Sequence, residues 1–327
     1  MKTIFVQIAA YRDPDLPATL HNLIRKAIHP QRLRFGLCLQ LDPSDPIGWR
    51  KESFPAHPYL RVLDVPASLS GGACWARHKA QHYYQGEDLW LQIDSHMRTV
   101  TGWDEILLQT LDECNDPMAV LSGYPNAFTK NEAGSTDFLH MDTLPLMAAK
   151  EFDNHGILKF QGIARAEWPA HPVPGAFMSG GFAFGPGRIV EQVPYDPHLY
   201  FDGEEIAMSA RLWTHGYNFY NPNRFTLFHL YKDIDPKKRP PNHWGDHDKW
   251  FKRNRRALVR VHALLNSLEH RPPSLELKAG DLDDFEQYCL GTARRLTQYE
   301  EWIGVSFKRR TIAKKAIQGI FPVESFS

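Results

Sequence analysis

Neither sign of charge is in excess: the 327 residues hold 38 Lys plus Arg and 38 Asp plus Glu. Without a net field the chain has no bulk attraction for nucleic acid or an anionic membrane, so any anion must be held by a local site. Cysteine is scarce. Cys38, Cys74, Cys114 and Cys289 form no CxxC pair, which fits neither a zinc cluster nor a disulfide framework and points to a reducing, cytoplasmic setting. No segment reaches the roughly 18 consecutive apolar residues of a membrane span. The opening "MKTIFVQIAAYRDPD" has a lysine and a short apolar run, but Gln7 interrupts it and no long apolar region follows, so it reads as a first core strand and not as a leader. Internal repeats and low-complexity tracts are absent as well.

What remains is a chain of 43% hydrophobic residues, long enough for one large α/β domain or a domain with an appendage. "TIFVQIAAY" (3–11) is β-rich, "DLPATLHNLIRKAI" (15–28) has helical spacing with Pro17 near its start, and "LRFGLCLQLD" (33–42) is apolar again, a βαβ unit. "LRVLDVP" (60–66) and "DLWLQID" (88–94) read as further strands, with a glycine-led helix at 71–84 between them. Thr101 and Asp104 form a capping pattern before the helix in "TVTGWDEILLQTL". Continuous apolar strands alternating with helices imply a mostly parallel sheet covered on both faces, with ligands beyond the carboxyl ends of its strands. Residues 125–175 carry many Pro, Gly and Asn without a clear period and read as long loops or irregular strands, where acceptor recognition is expected. "FMSGGFAFGPG" (177–187) is β-like, "DGEEIAMSARLWTHG" (202–216) is a helix closed by Gly216, and "YNFYNPNRFTLFHLY" (217–231) ends in a strand. From about 247 a basic amphipathic helix begins, and the segments after it look helical too.

The chemistry-bearing residues gather where strands end. In "LWLQIDSHM" the side chains of Asp94 and His96 point the same way, their Cα atoms about 6.6 Å apart, so they can converge on one ion while Ser95 faces away. A carboxylate beside an imidazole suits a divalent ion such as Mn²⁺, whose open positions can bridge phosphate oxygens. A single D-x-H element equally describes a loop aspartate with an unrelated histidine. His229, in the apolar run "FTLFHLY", is the best third ligand, although a hydrogen-bonded core histidine has the same surroundings; His78, His82, His140 and His155 lack comparable context. Asp202, Glu204 and Glu205 at a helix start could hold sugar hydroxyls or act as base or nucleophile, while the macrodipole alone also favours acids there. Gly180 and Gly181 could let a backbone approach a ligand, or simply make a turn. Arg77 follows the glycine pair at 71–72 and could meet a diphosphate at a helix start, or be a surface arginine; that stretch matches neither GxGxxG nor GxxxxGK[ST]. The basic helix 249–262 reads as a solvated face or as a contact for an acidic partner.

Taken in order, "VQIAAYRDPDLPATL", "GGACWARHKA", "LWLQIDSHMRTVTGWDEIL", "SGGFAFGPGRI", "YDPHLYFDGEEIAMSARLWTHGYNFYNP" and "FHLY" resemble the polypeptide N-acetylglucosaminyltransferases of glycosyltransferase family sixty. "GEEIAMSARLW" to "FHLY" is also similar to the mucin-type polypeptide GalNAc-transferases, although "DGEE" departs from their "WGGEN". The resemblance covers residues 3–231 and extends more loosely into the tail. It implies a GT-A fold, Rossmann-like, with a mixed, mostly parallel sheet flanked by helices, over residues 1–246, and a helical C-terminal extension over 247–327 packed on it. It implies a retaining hexosyltransferase that moves a sugar, GlcNAc in the first instance, from a UDP-sugar to a polypeptide or glycan hydroxyl, using Mn²⁺ or Mg²⁺. Asp94, His96 and His229 fall on the metal positions of that family. Tyr11, Arg12 and Arg77 fall near the nucleotide, and Gly180, Gly181, Glu204 and Glu205 on the sugar and acceptor side, with Asp94, Glu204 and Glu205 the catalytic candidates. The residues taken alone also admit a metal-dependent nucleotide-diphosphate hydrolase, or a carbohydrate-binding protein of the same fold without turnover.

Overall fold

The computed structural model describes residues 1–130, 135–165, 168–224, 226–231 and 241–322. The N-terminal half runs β1 (Ile4–Tyr11), α1 (Leu16–Lys26), β2 (Leu33–Leu41), β3 (Leu60–Pro66), α2 (Ala73–Gln81), β4 (Leu89–Asp94), β5 (Met97–Thr99) and α3 (Trp103–Glu113). It continues with β6 (Ala119–Ser122), β7 (Asn126–Lys130), β8 (Thr136–Phe138), β9 (Leu144–Phe152), β10 (Leu158–Arg165) and β11 (Val173–Pro174). The remainder is β12 (Phe182–Pro186), α4 (Ile189–Gln192), α5 (Glu204–Thr214), β13 (Asn218–Asn221), β14 (Leu227–His229), α6 (His243–Asp246), α7 (Trp250–Leu264), α8 (Leu296–Ile303) and α9 (Lys314–Ile317).

Eight strands form the main sheet in the order β11-β13-β6-β12-β4-β1-β2-β3. The β4-β1-β2-β3 run is parallel, as its continuous apolar sequences require, and β12 enters antiparallel between β4 and β6. Fully buried Ile4, Val6 and Ile8 pack with Leu37, Leu91 and Trp103 on one side of this sheet, while Phe5 and Trp90 join a larger cluster on the other. Burying a side chain of this size contributes roughly 1.5–3 kcal/mol. No helix among the described residues is long and apolar enough to cross a membrane.

A second sheet, β5-β14-β7-β8, decides where the site forms. Its register sets His229 opposite Met97, and the amide of Leu230 donates to the carbonyl of His96 at 3.1 Å. A residue 135 positions after Asp94 is thereby held beside the end of β4.

Three expectations are corrected. The helix at 103–113 is capped by Gly102 in the left-handed region, with no side-chain cap; Asp104 instead accepts from the amides of Ile28 and His29 at 2.8 and 3.0 Å, which lie in the loop after α1 and belong to no helix or strand ladder. Residues 125–175 are largely regular, holding β7, β8, the β9–β10 hairpin and β11; within that stretch 131–134 and 166–167 lie outside the described residues. Between α7 and α8 the tail is turns and short 3₁₀ segments, with Pro272 and Pro273 breaking the helical pattern.

Candidate active site

β1 and β4 lie side by side with Ala9 opposite Asp94, so both strands deliver their ends to one cleft. The cleft has a volume of about 680 Å³, and Tyr11, Arg77, Asp94, His96, Gly180, Gly181, Glu204, Glu205 and His229 all line it. Asp94, His96 and His229 each offer one ligand atom, and these atoms lie within 4.8 Å of one another. His229 Nε2 stands 3.1 Å from Asp94 Oδ2, and the two imidazole centroids are 4.6 Å apart. Burial alone would raise the Asp94 carboxyl. The hydrogen bond from His229 and the charge of Arg77 outweigh it and hold the group well below the usual carboxylate range. Burial keeps His229 below its ordinary value in spite of Asp94, so this imidazole is neutral near neutral pH, as ligation requires.

Ser95 turns away, as the strand period demands, and its hydroxyl donates to Asp13 Oδ2 at 2.5 Å. The same oxygen lies 2.7 Å from His96 Nδ1. Burial acts to lower the His96 pKa, but the hydrogen bond and charge of Asp13, with Asp94 and Asp15 behind them, carry it up to about 9, so this ring is protonated near neutral pH and a cation would have to displace its Nε2 proton. A carboxylate on Nδ1 fixes the ring and leaves Nε2 for the cleft, the arrangement in which histidines ligate metals. One carboxylate and two imidazoles, one of them backed by a buried aspartate and the other with a buried Nδ1 that has no partner among the described residues, make a donor set that fits a borderline divalent cation.

Behind this triad the acids and arginine interlock. Arg77 Nη2 donates to Asp94 Oδ1 at 2.8 Å, and Nη1 pairs with Glu204 Oε1. Both arms of Arg77 are therefore taken by carboxylates, and its role here is to aim Asp94. Glu204, 4% exposed, also accepts from Tyr195 Oη at 2.8 Å. Glu205 accepts from the Gly180 amide at 3.0 Å and from Tyr124 Oη at 2.9 Å. Burial pushes the Glu205 carboxyl up to about 7 against those two donors. A Cβ at Gly181 would meet Asp94 Oδ2 at 2.9 Å, so glycine lets the turn before β12 lie against the ligand.

Tyr11 lines the cleft, with its hydroxyl on Asp246 at 2.9 Å. Arg12 does not line it; its guanidinium is held by Asp45, at 2.7 Å from Nη2, and by Asp246 at 2.9 Å. Asp202 is paired with Lys159 in the cleft wall. Sequence reasoning passed over Asp13, Tyr124, Tyr195 and Gln92. A signal existed for two of them: the acids of "RDPD" follow directly on β1, and Gln92 is a polar residue inside an apolar strand.

A mixed sheet flanked by helices, with its strand ends gathered at one cleft, is the GT-A fold. The chain belongs to the glycosyltransferase (GlcNAc) family, whose model matches residues 3–59 and 50–309. It is similar in structure to GalNAc-T7, solved with UDP, GalNAc and Mn²⁺, with a TM-score of 0.62 at 14% identity over 93% of this chain. The chain spans 57% of that protein's length. A second similar structure is S. aureus TarS 1-349 in complex with UDP, with a TM-score of 0.44 at 12% identity, covering 88% of this chain and 80% of the other. No curated protein sequence matches significantly.

Proposed function

We propose that the chain is a metal-dependent, retaining glycosyltransferase of the family-sixty kind, moving GlcNAc from UDP-GlcNAc to a hydroxyl acceptor. The observation that carries this reading is the convergence of Asp94, His96 and His229 within 4.8 Å at the end of β4. Membership of a GlcNAc glycosyltransferase family supports it, as does the likeness in fold to a protein solved with UDP, a sugar and Mn²⁺. Mn²⁺ or Mg²⁺ held by these three side chains would offset the charge that develops on a departing diphosphate. Arg77 and Asp13 keep the ligands aimed, and Gly180, fixed through its amide by Glu205, presents backbone to the sugar side. Glu205, neutral for part of the time near pH 7, can donate as well as accept toward sugar hydroxyls. Residues 1–246 would form the sugar-nucleotide domain, with 247–327 as its packed extension.

The test is calorimetric titration of UDP with and without Mn²⁺, followed by a screen of UDP-sugars. Asp94→Asn and His229→Ala are expected to abolish metal-dependent UDP binding with the melt of the metal-free protein nearly unchanged. Wild-type affinity in either variant removes that residue from the ligand set. Full-rate release of free sugar without acceptor would mark a hydrolase.

A further inference from the structure

Two histidines outside the cleft are prepared for a ligand that the chemistry above does not use. His78 lies in the last turn of α2 and His82 caps that helix. The His82 amide turns to the Lys79 carbonyl at 3.3 Å, an i to i−3 bond that deprives the His78 carbonyl of its ordinary helical donor. The His82 ring serves that carbonyl instead, with Nδ1 at 3.0 Å. His78 Nδ1 lies 2.9 Å from the carbonyl of Tyr195. A carbonyl oxygen only accepts, so each neutral ring carries its proton on Nδ1 and its lone pair on Nε2. No hydrogen bond to a described residue engages either Nε2.

Residues four apart on a helix share one face, and the two imidazole centroids are 5.0 Å apart. Histidines that ligate metals characteristically give their other N–H to a carbonyl or carboxylate, which fixes the tautomer and the ring. Here both rings have that partner before any ion arrives. His78 is further braced by the Tyr288 ring, 6.3 Å away and edge-on. Burial holds His78 below its ordinary value, with Lys79 and His82 acting the same way and Asp196 and the Tyr195 carbonyl against them, so the ring is neutral near pH 7 as ligation requires. His82 is exposed, which leaves the pair open to solvent. Among the described residues no further His, Cys, Asp or Glu completes a cluster of three here. A donor set of imidazoles without a carboxylate suits copper, nickel or zinc and not the oxygen-seeking Mn²⁺ or Mg²⁺.

We propose that His78 and His82 form a separate metal site that takes an imidazole-preferring transition ion, Cu²⁺, Ni²⁺ or Zn²⁺, through their two Nε2 atoms, with water in the remaining positions. The ion is structural. It staples the C-terminal end of α2, where the helical hydrogen bonds run out. The same turn grips Tyr195 from both sides of its backbone: Gln81 Oε1 accepts from the Tyr195 amide at 2.8 Å, and His78 donates to the Tyr195 carbonyl. Tyr195 in turn supports Glu204. An ion at the surface therefore stiffens the support of the buried acids without entering the cleft, and the site stands whether or not the chain transfers sugar.

The test uses the full chain carrying both Asp94→Asn and His229→Ala, so that the triad does not compete for the metal. Calorimetric titration with Ni²⁺ is expected to show a single equivalent bound. Adding His82→Ala, which removes an exposed ring and leaves the Tyr195 contacts in place, is expected to weaken that binding about tenfold or more. His21→Ala, at an exposed histidine on α1, is expected to leave it unchanged. With Cu²⁺ in place of Ni²⁺, the electron paramagnetic resonance spectrum is expected to carry the splitting of two imidazole nitrogens. Ni²⁺ is also expected to slow hydrogen exchange of the amides of 79–84, and not in the His82→Ala chain. Undiminished Ni²⁺ binding after His82→Ala, an equal loss after His21→Ala, a single-nitrogen copper spectrum, or displacement of Ni²⁺ by equimolar Mn²⁺ overturns the proposal.

Discussion

At the scale of single residues, Asp13 shows how much of a metal site lies outside its ligands. It is 5% exposed, accepts from the Ser95 hydroxyl and the Asp15 amide, and holds His96 Nδ1. Asp13→Ala is expected to weaken Mn²⁺-dependent UDP binding by about 10- to 100-fold. Asp13→Asn keeps an acceptor for Nδ1 and is expected to lose less. Calorimetry compares the two, and equal losses would assign the effect to charge instead of ring orientation. Glu205 makes a prediction about pH. Its folded pKa of about 7 lies above the ordinary 4.5, so folding favours the neutral carboxyl, and stability falls as pH rises from 4.5 through 7. The separation sets a ceiling of about 3 kcal/mol, reduced by the partial exposure of the side chain. Glu205→Gln removes this dependence. Its melting temperature relative to wild type is expected to rise between pH 5 and pH 8; a constant difference would show that the carboxylate titrates normally.

At the scale of elements, β1 and β4 carry a polar ladder through an apolar sheet. Trp90 Nε1 donates to Gln7 Oε1 at 3.0 Å, Gln7 Nε2 to Gln92 Oε1 at 3.1 Å, and Gln92 Nε2 to the Gly180 carbonyl and Tyr195 Oη at 2.9 and 2.6 Å. Tyr195 then reaches Glu204, and Glu204 reaches Arg77. The glutamine that interrupts the first apolar run is thus a structural member of the site's foundation. Gln7→Leu leaves Trp90 Nε1 and Gln92 Oε1 buried without partners and is expected to cost about 1–3 kcal/mol in urea unfolding. A neutral result would mean that water replaces the side chain. The same strands show what can be read from sequence. β1, α1, β2, β4 and α5 were legible because apolar period and cap residues agree with their final state. The β9–β10 hairpin was not, because the apolar–polar alternation of "LKFQ" at the start of β10 lapses at Gly162 and only Leu158 of the strand is buried. Asp94, His96 and His229 stood out by residue type, but their meeting depends on the β5–β14 register. Tyr195 was missed because nothing local marks a side chain whose purpose is to hold another, and Asp13, whose partner His96 lies 83 residues on, carried only the signal of an acid directly after β1.

At the scale of the whole molecule, the site stands on a core that the C-terminal residues complete. α5 begins with Glu204 and Glu205 at the cleft and runs back to Trp213, which stacks on Trp302 of α8 at 5.9 Å and lies 5.2 Å from Tyr299. Tyr299 in turn donates its hydroxyl to the Ala176 carbonyl, just before the Gly180–Gly181 segment. α7 joins the same cluster through Leu258, Val259 and Val261, and Gly203, at the start of α5, would meet Val261 at 2.7 Å if it carried a Cβ. The far end of the helix that aims Arg77 is therefore clamped by residues from the last third of the chain. Trp302→Ala opens a cavity under α5 and is expected to cost about 3–5 kcal/mol. If the clamp matters to the site, the variant loses sugar transfer more than UDP binding at temperatures well below its melt, because the cavity lies under α5 and away from the Asp94, His96 and His229 ligands. Parallel loss of transfer and UDP affinity would show that α8 supports the fold as a whole and not the sugar side in particular.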